Sequence, residues 1–367
     1  MAEQLVTAPT EERFERTANF EDPGVIVTYD FVDNNRLLKE YGEGKEDLVL
    51  RNAVMMNNIG LDATRYIHNP EKPWMYGKFD VWSEFFGIDP SEWEVKIGGK
   101  TAWISKRPFD DLKGLEEHMP KMPDKDKVAR WWVPTHNKII EIFRQYDLVW
   151  VTAIEGALTE AYMYASFDLL FKAIYRAPEL VERLLDVFSE WGRIISELHA
   201  ENKSSPVFFQ NDDICGSNGP FVSPQFLREE MVPRWSKVYE PAREAGLKCI
   251  YHTDGNAHPV MDILVDELGI DGFNPIDQAG MDIRRLREDY PELLLFGNVD
   301  CAFTLPDGTV EEVEKETKEL LRDIGPTRGL FLGSSSEIDQ DVPPENAVAM
   351  YRTAKEYGRY PISINGV

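Results

Sequence analysis

Short apolar runs, each closed by a polar or glycine-containing turn and followed by a helical stretch, constrain this chain more than any other feature. Six are clear: LVWVTAI (148–154), PVFFQND (206–212), LKCIYHTD (247–254), IDGFNPID (270–277), LLLFGNVD (293–300) and GLFLGSSS (329–336). Two weaker ones precede them, GVIVTYD (24–30) and LDATRYI (61–67). Continuous apolar runs, as opposed to alternation, mark strands buried on both faces, as in parallel sheets. Eight strand–helix units predict an α/β fold, a closed (β/α)8 TIM barrel. An open doubly wound sheet is the alternative, but no GxGxxG turn follows the first strand. The 367 residues suit one barrel domain spanning 1–367.

The intervals carry helix signals. Val128, Trp131, Trp132, Ile139, Ile140 and Phe143 recur at three/four spacing over 125–146, and 156–201 reads as two or three helices. Ser223-Pro224 opens a helix to about Ala245, with a kink expected at Pro233. Further helices are expected over 256–268, 282–290, 309–324 and 343–358. Residues 68–122 break the rhythm with clustered aromatics and a Gly98-Gly99 pair that reads as a hairpin turn. This stretch is expected to be a cap inserted in the N-terminal half, either packed on the barrel or serving as a lid whose aromatics line the pocket.

Charge and cysteine content narrow the partners. Forty Lys+Arg stand against 65 Asp+Glu, a formal charge of −25, which argues against nucleic acid and anionic membranes. No apolar run approaches the ~20 residues that span a bilayer. The polar start is no secretory signal. Cys215, Cys249 and Cys301 are scattered without CxxC spacing, so a cytoplasmic protein is expected.

The chemistry is expected where the strands stop, because a barrel directs all those ends to one face. They offer Glu155, then Asp212 and Asp213, His252 and Asp254, Asn274, Cys301, and Ser334, Ser335 and Ser336. An aspartate there can instead cap the next helix, and a cysteine can be mere packing. His252 with Asp213, Asp254 or Cys301 would make a zinc set if the spacing closes in three dimensions. Without metal, His252 beside a carboxylate is a general acid or base.

The succession YHTDGN (251–256), GIDGFNPID (269–277), GNVD (297–300) and LGSSSEIDQDVPPENAVAMYR (332–352), with ERFERTANFEDP (12–23), resembles the uroporphyrinogen decarboxylase superfamily. The resemblance implies a (β/α)8 barrel and one of two activities: porphyrin decarboxylation, or methyl transfer involving a corrinoid protein or a thiol. The decarboxylases' MRQAGR motif is missing; FVDNNRLLKEYGEG follows the first strand instead. An eight-carboxylate substrate would also need arginines that this acidic chain does not cluster. The methyltransferases resemble it more, but their His-x-Cys zinc motif reads His252-x-Asp254 here, and a serine of 334–336 stands where their last cysteine would be.

The resemblance therefore implies a methyltransferase of the O-demethylase type, moving a methyl group from a small methoxylated compound, most simply a methoxy-aromatic one, to a partner corrinoid protein. His252, Asp213 and Glu155 are its expected catalytic residues. Asn274, Asp212, Ser334 and Ser335 are expected to bind substrate, and His252, Asp213, Asp254 and Cys301 to hold zinc. The alternatives are a cofactor-independent decarboxylase and a non-catalytic corrinoid- or small-molecule-binding barrel. Superfamily members are often homodimers, which sets the expected oligomer.

Overall fold

The computed structural model describes residues 8–42, 46–72, 74–98 and 101–364. All eight expected strands are present and every contact around the ring is parallel. The first strand (Val27–Thr28) meets the second (Ala63–Thr64) through a Tyr29–Ala63 bridge, and the second pairs Ala63 with Val149 of the third. The third runs through Val149–Trp150 and Thr152–Glu155 and pairs with the fourth (Val207–Asn211), which pairs with the fifth (Lys248–His252). Then follow Gly272–Asn274, Leu294–Phe296 and Leu330–Leu332, and the eighth strand returns to the first with Val27 opposite Phe331. The sheet closes into the expected (β/α)8 barrel.

Period-two alternation decides what fills it. Inward positions carry Val27, Tyr29, Val151, Phe209, Ile250, Leu294, Phe296 and Phe331, all buried. Tyr29 stacks on Phe209 at 5.2 Å, Phe209 meets Phe296 edge-on at 5.0 Å, and Phe296 stacks on Phe331 at 4.4 Å. This aromatic layer plugs the barrel and forms the floor of its C-terminal mouth.

The other end is closed by the helix Thr10–Ala18, whose Phe14 reaches Phe331 at 4.5 Å. Arg13 of the same helix grips Asp62 with both Nη atoms, at 2.7 and 3.1 Å, and Lys355 contacts the same carboxylate. Burial alone would raise the Asp62 pKa, but Lys355 and Arg13 outweigh it and hold it at about 2.

The helices follow expectation with local departures. Residues 156–201 form three helices, Ala157–Ala165, Phe167–Arg176 and Pro178–Glu201. Thr309 and Glu312 make a reciprocal capping box on Val310–Asp323. The helix opened by Ser223 does not simply kink at Pro233. It widens over Leu227–Met231, where the Val232 N–H reaches back five residues to Leu227, because a proline cannot donate its own helical bond. The stretch 256–268 is helical from His258 to Glu267, opening as a 3₁₀ turn (His258–Val260) and ending as a wide turn (Ile263–Glu267). Among the described residues no helix is long and apolar enough to cross a membrane.

The cap consists of the helix Trp74–Phe86 and the antiparallel hairpin Glu94–Gly98/Thr101–Lys106. Gly99, half of the expected turn, lies outside the described residues. Of the two readings of the cap aromatics, packing as core holds for six of them. Trp82, Trp93, Phe79 and Phe109 pack on one another and on Tyr164, mostly edge-on at 5.1–5.8 Å, while Phe85 and Phe86 pack on Trp191. They are core because burial of rings this large dominates what a small cap can gain on docking.

Candidate active site

Two residues beyond the aromatic floor, the inward positions turn polar. Arg65 follows Ala63, Glu155 follows Ala153, Asn211 follows Phe209, His252 follows Ile250, and Asn274 follows Gly272. This ring lines the mouth, and the loops above it add Asp213 and Asp254. One ligand atom from each of Asp213, His252 and Asp254 lies within 4.8 Å of the others.

The orientation of His252 decides what this cluster can do. Its Nδ1 lies 2.6 Å from Asn274 Oδ1, which also accepts from Arg65 Nη1 at 3.2 Å. Arg65 can only donate, which marks that atom as the amide oxygen, and the 2.6 Å contact is then a hydrogen bond in the tautomer with the proton on Nδ1. Nε2 is left with a lone pair, 3.8 Å from Asp213 Oδ1. Burial and then the neighbouring Arg65 push the His252 pKa well below its usual value, so the ring is neutral. The carboxylates are pushed the other way: Asp213 by burial, Asp254 and Glu155, and Asp254 by burial and Asp277.

Asp213, His252 and Asp254 could together hold a cation. Zinc bonded at roughly 2.0–2.2 Å to nitrogen and oxygen would set its ligand atoms about 3.4 Å apart, and His252 Nε2 and Asp213 Oδ1 stand 3.8 Å apart. Asn274 supplies the outer hydrogen bond that orients a ligating histidine, and Ser336 Oγ donates to Asp254 Oδ1 at 3.1 Å. Three such ligands would leave a fourth position for substrate on a bound zinc.

The remaining expected residues are placed differently. Cys301 does not join the cluster: its Sγ accepts from Ser335 Oγ at 3.2 Å, and burial pushes the thiol up to about 11. It lacks the thiolate a metal would need. Asp212 is fully buried and accepts from Thr159 N at 2.7 Å, Thr159 Oγ1 at 3.0 Å and Trp235 Nε1 at 2.8 Å. It caps the helix Ala157–Ala165, and Gly156 is required beside it, since a Cβ there would meet Asp212 at 2.2 Å. Ser334 holds the buried Asp30 through Oγ at 2.6 Å, and Ser335 holds Cys301. These side chains frame the mouth and do not face it.

Glu155 does face it. It accepts from Asn211 Nδ2 at 3.4 Å and lies 3.8 Å from Lys78 Nζ. Lys78 comes from the cap helix and pairs with Glu160 at 2.7 Å, while Trp82 Nε1 donates to the same carboxylate at 2.9 Å. Glu160 thereby ties the cap to the barrel with Lys78 over the site. An aromatic cluster stands at the helices after the third strand: Tyr162 stacks on Phe167 at 4.2 Å, and Phe221 meets Phe167 edge-on at 5.4 Å. Burial and then Asp213 raise the Tyr162 hydroxyl pKa, which sets that ring beside the acids.

Sequence reasoning missed Arg65, Lys78 and Asn211. Arg65 and Asn211 had a usable signal, since both continue the inward period of their strands. Lys78 had none, because the docking of the cap helix decides where it points.

A (β/α)8 barrel with polar groups gathered at the C-terminal strand ends defines a class of enzyme scaffold. Within that class, the chain belongs to the uroporphyrinogen decarboxylase (URO-D) family, whose model matches residues 93–357. Two methylcobamide:CoM methyltransferases are similar to it, from Methanosarcina acetivorans (25% identical over 190 residues) and Methanosarcina mazei (23% over 190 residues). Each match covers 52% of this chain and 53% of the relative, so the chain spans about half the length of these relatives. A solved methyltransferase from Methanosarcina mazei shares the fold over 95% of this chain and 99% of its own, with a TM-score of 0.72 at 20% identity.

Proposed function

We propose that this protein is a methyltransferase that moves a methyl group from a small methoxylated compound to the corrinoid of a partner protein in the cytoplasm. The observation that carries this reading is the Asp213–His252–Asp254 cluster at the strand ends. The relatives named above are methylcobamide:CoM methyltransferases, which supports methyl transfer with a corrinoid on one side of the reaction.

The donor set supports an ether over a thiol on the other. Soft thiolate ligands are absent, and two carboxylates with one imidazole make a harder site. Asp213, His252 and Asp254 would hold zinc, and a bound zinc would supply a Lewis acid at the ether oxygen. In the transfer, the O–CH3 bond breaks, the carbon bonds to the corrinoid cobalt, and the oxygen leaves with the bonding pair. In this reading Glu155, bonded to Asn211 and paired with Lys78, would relay a proton from solvent to that oxygen. Tyr162, Phe167 and Phe221 offer a ring-shaped substrate an apolar wall.

Decarboxylation of a porphyrinogen is the weaker reading. Asp213, Asp254, Glu155 and Asp277 crowd the mouth, and an eight-carboxylate substrate would meet like charge there. The test is methyl transfer to cob(I)alamin from a panel of methoxybenzenes, followed by the cobalamin spectrum. Turnover on at least one methyl ether is expected. Inert ethers together with carboxylate loss from uroporphyrinogen would overturn the proposal.

A further inference from the structure

Outside the barrel lies a cavity that the methyl-transfer reading does not use. It holds about 370 Å³ between the helices Phe167–Arg176 and Pro178–Glu201 and the segment 221–230, the size of a small-molecule site. Four aromatic residues line it: Phe171 and Tyr175 from the first helix, Phe221 and Phe226 from the segment. Phe171 and Phe221 are braced by Phe167, which meets them at 5.6 and 5.4 Å. Tyr175 stands at the rim with 87% of its surface exposed, so folding gains little from its ring and a ligand could cover it. The widened turn Leu227–Met231 carries Glu229 and Glu230 into the lining, and such turns recur at functional sites.

The charge on the lining has one sign. Glu182, Glu229 and Glu230 contribute to it and no basic side chain does. Glu230 is spent on Arg234 at 2.8 Å, and Arg234 turns its other edge to Asp186. Glu229 accepts from the Gln225 amide at 2.9 Å and has no cation beside it. The Glu182 carboxylate makes no hydrogen bond or ion pair among the described residues. Lone acids are common on a chain this acidic. These two differ in bordering aromatic rings, whose negative faces add to their pull on a cation. The apolar walls favour a cation with alkyl substituents over a hydrated metal ion. A second copy of the chain, docked across a two-fold axis, would bring the same carboxylates together, so charge opposes it.

We infer that this cavity binds a small organic cation, an alkylated ammonium, between the rings of Phe171, Tyr175 and Phe221, with Glu182 and Glu229 balancing its charge. The site stands apart from the Asp213–His252–Asp254 cluster and is independent of the methyl-transfer reading. It adjoins the mouth all the same: Phe167 touches both the cavity residue Phe221 and Tyr162, whose ring lies beside Asp213.

The test is NMR titration of the full chain, at neutral pH and physiological salt, with choline and with 3,3-dimethylbutan-1-ol, which has the same shape without the charge. Broadening of the methyl signal reports the binding of each. The wild-type protein is expected to bind choline about tenfold more tightly than the alcohol. Tyr175→Leu and Phe171→Leu keep apolar bulk and net charge but lose the ring face. Each should weaken choline about three- to tenfold and leave the alcohol within about twofold. Glu182→Gln, at an exposed position, should weaken choline about threefold. Asp213→Asn, which removes an acid from the mouth, should leave choline binding unchanged. No preference for choline, or a preference untouched by both ring variants, would overturn the inference, because the acidic field alone would then hold the cation. Choline binding lost in Asp213→Asn but kept in the ring variants would put the cation in the mouth and overturn it as well.

Discussion

His252→Ala is expected to abolish methyl transfer, with a loss of at least about 100-fold, while leaving the far-UV spectrum intact. The size follows from the position of the side chain. Its Nε2 is the sole nitrogen in the Asp213–His252–Asp254 set, and its Nδ1 proton anchors Asn274, which in turn positions Arg65. Alanine removes a ligand and leaves two carboxylates pressed together without a third donor. His252→Gln gives a control that keeps polarity and volume but loses the aromatic lone pair. It should recover stability without recovering turnover. Undiminished turnover in His252→Ala would remove the site from this part of the barrel.

The largest expected effect on stability lies at the opposite end. Asp62→Ala should destabilise the fold by about 3–5 kcal/mol in urea titration, because it strands Arg13 as a buried, uncompensated cation and leaves the half-buried Lys355 beside it. Asp62 also loses its bond from Thr28 N, 2.9 Å in the native barrel, at the first barrel strand. Glu12→Ala, which breaks the half-exposed pair with Arg16, should change stability by no more than about 1 kcal/mol. The same aspartate fixes an acid limit. Its folded pKa of about 2 lies below the ordinary 3.8, so its stabilisation is full above pH 4 and is lost as pH falls toward 2. Burial draws Lys355 down to about 8 against the pull of Asp62. Between pH 4 and 8 we take both as charged, because the two-pronged Arg13 keeps Asp62 ionised independently of Lys355. An Asp62→Ala protein as stable as the native one would show that helix Thr10–Ala18 closes the barrel without this cluster.

The barrel was legible because parallel strands advertise themselves as short continuous apolar runs. LKCIYHTD and LLLFGNVD could hardly be anything else, and the weak runs at 24–30 and 61–67 close the ring with only two paired residues each. The strand-end rule also found Asp213, His252 and Asp254, since a loop after a parallel strand must lie on one face of the barrel. What it could not rank was which polar groups there are spent on the frame. Asp212 and Asp213 are adjacent, yet one caps a helix and the other faces the mouth, because successive residues leave the strand on opposite sides. Ser334 and Ser335 are spent on Asp30 and Cys301, while Ser336 reaches Asp254. Arg65 continues the inward position of Ala63, but the paired strand is only two residues long, so that signal is faint. The cap aromatics read equally well as core or pocket wall, and only their mutual packing separates the two.

The most direct measurement is an anomalous diffraction map of the native protein at the zinc edge. One peak is expected, roughly 2.0–2.2 Å from His252 Nε2 and from carboxylate oxygens of Asp213 and Asp254, and it should vanish in the Asp213→Asn, Asp254→Asn double variant. A map with no peak at the mouth, from protein that still transfers methyl groups, would contradict the account at its centre.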